Sequence, residues 1–589
     1  MIGFSAGGDV SIDNAGGIYS YAVGQSPRIT RPAVAVFGFA GNGNVAIDNS
    51  GIALAVSPLG AAAGIRAYGL TVDVANSGGV YAVSRDDLAT GIDVYSIDSA
   101  TVGNDGFIGA GSKYANAEGI YAIGGGDVSI SNGALGEVVA YADGGIAIGV
   151  LGYSIAGNAT VDSDGIVFAR GLNGAIGVYA GAYGGATVTN SGAITAESED
   201  GNATGISAYS VNGDASVANG GAIDVGAYSG NAIGIGGYAV AGDVHIDNAG
   251  SIYAVAFGNA RGMFALSSDG SVNATNSGDI YAYSYAATSR AIAVEASGDA
   301  AVDNSGSIAA ASAYGNAIGV SGFSYDGIVS ISNSGDVAAV GGVDGQALGV
   351  LAYGYAAGVL NSGAITATGF SGAQGVLLAA YANGSVINEA TGSITASAMT
   401  DAFGALVTSY AGVASINNAG SIDASTTDAG GLAAGVVAQG YAGVLVTNTN
   451  SGTISARSAS GSDAIGVLAR AYGNLLVDNA GLITATDDDY AVAVSLDSAE
   501  GIATLRNSGT LRTYSALESQ IAVLGGDGVQ QMLNYGDIHG AIVPPTALVI
   551  ESSPSPKSVE WLMTCQTPAS ALTITSSPPP VTIAPWMAP

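Results

Sequence analysis

Val244-His245-Ile246-Asp247-Asn248-Ala249-Gly250-Ser251-Ile252-Tyr253-Ala254 decides the fold. Val244, Ile246 and Asn248 share one parity, and Ile252 and Ala254 keep it after the turn, so two short runs alternate apolar with polar. That alternation marks half-buried strands, because successive side chains of a strand point to opposite faces. Asn-Ala-Gly between the runs supplies a turn.

The phrase recurs along nearly the whole chain. Its Asn, or Asp, falls at Asn14, Asn49, Asn76, Asn104, Asn132, Asp162, Asn190, Asn219, Asn248 and Asn276, then at Asn304, Asn333, Asn361, Asn388, Asn418, Asn448, Asn479, Asn507 and Asn534. These are 19 copies at a mean spacing of about 29 residues. The first interval is longer because Gln25–Pro32 lies in it as an inserted loop. A second mark, Gly followed by Ile or Val, sits midway in most copies, as at Gly64-Ile65, Gly149-Val150, Gly234-Ile235 and Gly466-Val467. Residues 304–333 therefore hold three alternating runs: Ile308–Ala311, Ile318–Ser321 and Ile328–Ile331.

Three strands per repeat make one coil of a three-sided solenoid. A single coil cannot bury its own inner face. Coils stacked in parallel about 4.8 Å apart give every strand a partner above and below. The expected fold is all-β: a right-handed parallel β-helix, or β-solenoid, of about 19 coils of roughly 29 residues, with handedness from the chirality of parallel crossovers. Shared parity turns the repeated Asn inward at a corner, where a buried amide must be satisfied. Stacked amides satisfy one another, so Asn190, Asn219, Asn248, Asn276, Asn304, Asn333 and Asn361 are expected to form a structural ladder. Asn and the following Gly are also expected to supply positive φ at that corner.

Composition agrees. Gly is 94 of 589 residues, 48% are apolar and only 10% are charged, yet no run of 18 apolar residues escapes polar or glycine interruption. A membrane-spanning helix is not expected. Net charge is −33, which repels phosphate backbones and disfavours nucleic-acid partners and anionic membrane surfaces. The lone Cys565 excludes an internal disulfide, and His245 and His539 are too few and too distant for a zinc or iron centre. No metal and no cofactor is expected. Isolated pieces such as Gly126-Asp127-Val128 and Gly242-Asp243-Val244 do not sustain a calcium-binding repeat.

The pattern stops after Asn534–Ile538. Ten of the 13 prolines lie in 544–589, a segment that also holds Trp561, Cys565 and Trp586. Proline cannot join a sheet ladder. The chain is expected to divide into a solenoid at 1–543 and a disordered Pro/Ser/Thr-rich tail at 544–589, whose abrupt change of vocabulary suggests a frameshift.

No catalytic residue is nominated. Gly3-Phe4-Ser5-Ala6-Gly7 matches a nucleophile motif by chance in so Gly-rich a chain, and two histidines cannot serve a triad there. The acidic clusters Arg85-Asp86-Asp87 and Asp487-Asp488-Asp489 are expected in solvated turns. Tyr19, Tyr81, Tyr121, Tyr253 and Tyr281 each follow an inward Ile or Val, so their rings point outward as a candidate binding ladder for sugars or partner proteins.

Copies such as Val188-Thr189-Asn190-Ser191-Gly192-Ala193-Ile194-Thr195-Ala196 and Ile331-Ser332-Asn333-Ser334-Gly335-Asp336-Val337 resemble the repeats of bacterial autotransporter passengers and related large adhesins, over about residues 8–540. The resemblance implies an extracellular or cell-surface rod that attaches to a host-surface or extracellular glycan or protein, and since no catalytic residue is nominated the rod is expected to be non-catalytic. It also implies export through a C-terminal outer-membrane barrel. The chain departs from that pattern at both ends: Met1-Ile2-Gly3-Phe4-Ser5 opens inside a repeat without a signal peptide, and no barrel strands follow. The expectation is a piece of a larger surface protein, with uncapped end coils open to self-association. A solenoid carbohydrate-active enzyme, lyase or hydrolase, and a non-functional fragment of a larger autotransporter are the alternatives.

Overall fold

Residues 304–333 fold as the alternation predicts, into the strands Ser307–Ser312, Ala317–Ser324 and Ile328–Asn333. A computed structural model describes residues 1–22, 32–428, 430–459, 462–515, 519–526, 528–543 and 548–552, and no helix occurs among them. The inserted loop therefore lies outside the described residues, except for Pro32. Three parallel sheets of 20, 20 and 19 strands run the length of a parallel β-solenoid. They are named here the long-strand sheet (Ala33–Ala40, Ala62–Gly69 and their successors), the asparagine sheet (Val45–Asn49, Val72–Asn76) and the tyrosine sheet (Ile52–Ser57, Gly79–Ser84).

The core is three inner stacks of apolar side chains. In the middle coils they are Ile206, Ile235, Met263 and Ile292 on the long-strand sheet, Val217 and Ile246 on the asparagine sheet, and Ile223, Ile252 and Ile280 on the tyrosine sheet, all buried. Each Ile contributes about 2–3 kcal/mol relative to an exposed one.

The asparagines join along their side chains. Asn219 Nδ2 donates to Asn248 Oδ1 at 2.7 Å, and Asn248 Nδ2 to Asn276 Oδ1 at 2.7 Å and to Gly250 O at 3.2 Å. The same bond links Asn190 to Asn219, Asn276 to Asn304, Asn304 to Asn333 and Asn333 to Asn361. Asp162 is not a member. Its register partners are Ser131 and Thr189, and Ser163 occupies the inward place. The Asp162 carboxylate instead accepts from Thr189 Oγ1 at 2.6 Å.

The glycine after the asparagine answers to crowding, which corrects the expected role of positive φ. Among the described residues only Asp344, Gly430, Gly528 and Gly540 have positive φ. A Cβ at Gly250 would stand 1.9 Å from Gly221 O of the preceding coil, and one at Gly278 1.9 Å from Gly250 O. The Ser251 N–H donates to Gly221 O, which fixes that approach. Every coil from Gly16 to Gly536 repeats the glycine.

The mid-repeat glycine has a different cause. In Ala232–Ala239 the alternation breaks at Gly234-Ile235, the start of four successive buried residues, which marks a bend in the strand. A Cβ at Gly234 would lie 2.3 Å from Ile252 Cγ2 of the tyrosine sheet. Ala35, Ala291, Ala493 and Ala522 take this place in four coils. Side chains flanking the bend point away from the core and still are buried, among them Thr90, Asp93, Phe264 and Ile318. The outer face of the long-strand sheet is therefore a furrow along the rod.

Serine hydroxyls close a third set of corners. Ser267 Oγ donates to Gly242 O at 2.7 Å and accepts the Gly270 N–H at 2.8 Å, and Ser324 repeats the pattern with Gly298 and Gly327.

At the C-terminal end, Leu548–Ser552 adds a parallel strand to Val529–Asn534. Strand pairing thus passes the expected boundary at residue 543. Residues 553–589, with most of the expected tail and its Trp561, Cys565 and Trp586, lie outside the described residues.

Candidate functional site

The outer face of the tyrosine sheet carries one outward row in the register Glu197, Gly226, Val255, Tyr283. A Cβ at Gly226 would meet nothing within 4 Å. The row lapses there, and the gap is a cleft of about 350 Å³ lined by Glu197, Tyr228, Val255, Phe257, Tyr283 and Tyr285. Tyr228, Phe257 and Tyr285 come from the corner that leads to the long-strand sheet. Phe257 stacks on Tyr285 with ring centroids 5.3 Å apart, and Tyr285 meets Tyr314 edge-on at 5.2 Å.

Beside the cleft, Tyr253 and Tyr281 are register partners with rings 5.0 Å apart and 11° from parallel. Tyr281 and Tyr283 continue the array at 6.4 Å. Tyr228 is 75% exposed and Tyr253 49%. The one carboxylate lining the cleft, on Glu197, lies 3.8 Å from Arg170 Nε. Flat exposed rings with little charge suit stacking against the CH face of a sugar or packing against a partner side chain.

Not all the tyrosines join this site. Tyr19 and Tyr81 lie on the same sheet far from the cleft, with Leu54 between them, and Tyr81 packs on Phe107 at 5.2 Å. Tyr121 belongs to the long-strand sheet, within Ala117–Gly124, so the five do not make one ladder. Its Ile120 is the residue after a bend glycine, whereas Ile252 and Ile280 open strands of another sheet. A period-two pattern does not distinguish the two contexts. The corner aromatics Tyr228, Phe257 and Tyr285 were missed because they sit outside any alternating run.

Tyr121 instead flanks a polar cluster in the furrow. Arg66, Asp93 and Tyr121 are in register on three coils, and Arg66 Nε lies 2.6 Å from Asp93 Oδ2. Thr90 Oγ1 donates to Glu118 Oε2 at 3.3 Å. Tyr68 stacks on Tyr95 at 5.1 Å, and Tyr95 packs on Tyr121 at 5.9 Å. Burial pushes the Glu118 carboxyl up to about 7; the Thr90 hydrogen bond opposes the rise and the Asp93 charge adds to it. Burial also raises Asp93, against the pull of Arg66. Asp93 and Glu118 belong to no motif. Their signal was positional: both flank the bend glycines Gly91 and Gly119.

The other sequence candidates stay apart. Ser5 Oγ accepts the Gly8 N–H near the first strand. Arg85 pairs with Asp86 at 2.7 Å in an exposed turn. Asp487, expected in solvent, is buried, and its carboxylate accepts the N–H groups of Asp488 and Tyr490 to hold its turn. The Asp of the Gly-Asp-Val pieces also serves turns: Asp243 Oδ1 accepts the Ser271 N–H at 2.8 Å.

Comparison with family models, with curated proteins and with solved structures finds no match to this chain.

Proposed function

We propose that this chain is a non-catalytic attachment rod of a bacterial cell surface, which presents the aromatic cleft around Gly226 to a glycan or protein ligand. One observation carries the reading. Exposed rings from successive coils border a gap that a single glycine leaves open. The repeats' resemblance to autotransporter passengers supports a displayed, adhesive role. A solenoid suits that role mechanically, because its backbone hydrogen bonds run continuously from coil to coil.

The test is to fill the gap. Gly226→Leu has open space for its side chain, so stability stays within about 0.5 kcal/mol of wild type. Attachment of the purified chain to a glycan array or to host-cell surfaces then falls about tenfold or more. Tyr253→Ser with Tyr281→Ser weakens it further. Undiminished attachment in both variants would sink the reading.

A second reading, a solenoid carbohydrate-active enzyme, is favoured by Asp93 and Glu118 on neighbouring coils. A carboxyl held near neutrality is fitted to general-acid work. It predicts polysaccharide turnover that Glu118→Gln abolishes and Gly226→Leu leaves intact.

A further inference from the structure

Arg261 and Arg290 are register partners on neighbouring coils of the long-strand sheet, each one residue before the bend, at Gly262 and Ala291. Both therefore stand in the furrow. Two guanidinium groups so placed repel each other, and the usual remedy is a carboxylate between them. The chain has 46 acidic residues against 13 basic ones, yet among the described residues neither arginine forms an ion pair or a hydrogen bond. Arg290 Nε is buried with no acceptor. Glu295, in register with Leu266 and Phe323, attracts Arg290 from a distance without pairing. Burial and the neighbouring Arg261 both pull the Arg290 guanidinium below its ordinary range. Arg261 lies over the Phe264 ring at 4.2 Å, and Phe264 packs on Tyr238 at 5.5 Å, so its plane is held in place. A buried donor without an acceptor is a cost to the folded chain, of the kind found where a ligand completes the set.

We propose that Arg261 and Arg290 form an oxyanion site, and that the oxyanion is the carboxylate or sulfate of an acidic saccharide lying along the furrow. Guanidinium forks match such groups in geometry and charge. The oxyanion site stands on its own geometry; the saccharide rests on the attachment reading above.

The experiment uses the full chain at low ionic strength, with sodium sulfate against sodium chloride of equal ionic strength. Oligogalacturonate against its neutral methyl ester follows. Thermal midpoint and calorimetric affinity are read for wild type, Arg290→Met, Arg261→Gln and Gly226→Leu. Sulfate also stabilises proteins nonspecifically, so the difference between variants is decisive. The expected result is a midpoint rise with sulfate in wild type and Gly226→Leu that Arg290→Met lacks. Arg290→Met is at the same time more stable than wild type without ligand, because a half-buried charge with an unpaired Nε has gone. Arg261→Gln binds about tenfold more weakly. Equal sulfate responses in wild type and Arg290→Met would overturn the site. A sulfate response without preference for oligogalacturonate over its ester would uphold the oxyanion site and overturn the saccharide.

Discussion

Ser163 stands in register with Asn190 of the next coil, and neither the Ser163 hydroxyl nor Asn190 Oδ1 has a hydrogen-bond partner. The asparagine ladder is unbroken on both sides, from Asn14 to Asn132 and from Asn190 to Asn534. A serine is too short to span two coils, so it leaves a fault in an otherwise continuous chain of amides.

Ser163→Asn is expected to repair that fault. It gives Asn190 Oδ1, now without a partner, a donor, and gives Asn132 Nδ2, which now donates only to the Gly136 and Ile166 carbonyls at 3.5 and 3.4 Å, an amide acceptor. Unpaired buried polar atoms cost about 1–3 kcal/mol each, so a gain of about 1–2 kcal/mol follows. Urea unfolding at constant m-value reads it. A loss of stability would show that the side chain cannot take the inward rotamer there.

Asn248→Ala is expected to do the reverse. It removes the acceptor of Asn219 and the donor to Asn276, both at 2.7 Å, inside a closed corner. The cost is about 3 kcal/mol or more. Coils contact only their neighbours, so the damage is local and denaturant unfolding turns biphasic. A single unshifted transition would contradict the ladder's structural role.

Gly250→Ala tests whether crowding or backbone conformation selects glycine. The φ there is not positive, so no conformational strain is added. The new Cβ would nevertheless meet Gly221 O at 1.9 Å, and that oxygen is held by the Ser251 N–H. A cost of about 3 kcal/mol is expected. Gly226→Ala, on open ground, is neutral or slightly stabilising. Equal effects in the two variants would mean that contact is not the cause.

Glu118 sets a pH dependence. Its folded value, about 7, lies above the ordinary carboxyl range, so the folded chain holds the proton more tightly than the unfolded chain. Glu118 is therefore least costly at pH near 4.5, and stability falls as pH rises from there through 7. Glu118→Gln removes that slope and gains no more than about 3 kcal/mol over wild type at pH 8, with little gain at pH 4.5. Thermal midpoints of both proteins across this range check it. Parallel curves would refute the assignment.

Residues such as Val244, Ile246, Asn248 and Ile252 declared their strands, their inward side and their period in the sequence. The same reading misplaced Asp162 and Tyr121. In the first case, Asp162-Ser163 shifts the polar marker by one position, and only the pairing of Ser131 with Asp162 shows which residue turns inward. In the second, an Ile-Tyr pair looks alike on two sheets, and only the bend at Gly119 tells them apart.

By itself the sequence determined the three-stranded coil, the stacking of about 19 copies, the inward asparagine and the apolar interior. All follow from a local period that every repeat states again. The tertiary structure alone decided which outward side chains meet. Glu197, Gly226, Val255 and Tyr283, like Thr90 with Glu118 and Arg261 with Arg290, are some 28 or 29 residues apart and become neighbours only through register. Register depends on the length of each intervening turn, and those lengths vary from coil to coil. The bend that buries one outer face and the missing side chain that opens the other are likewise properties of stacked coils, which no single repeat contains.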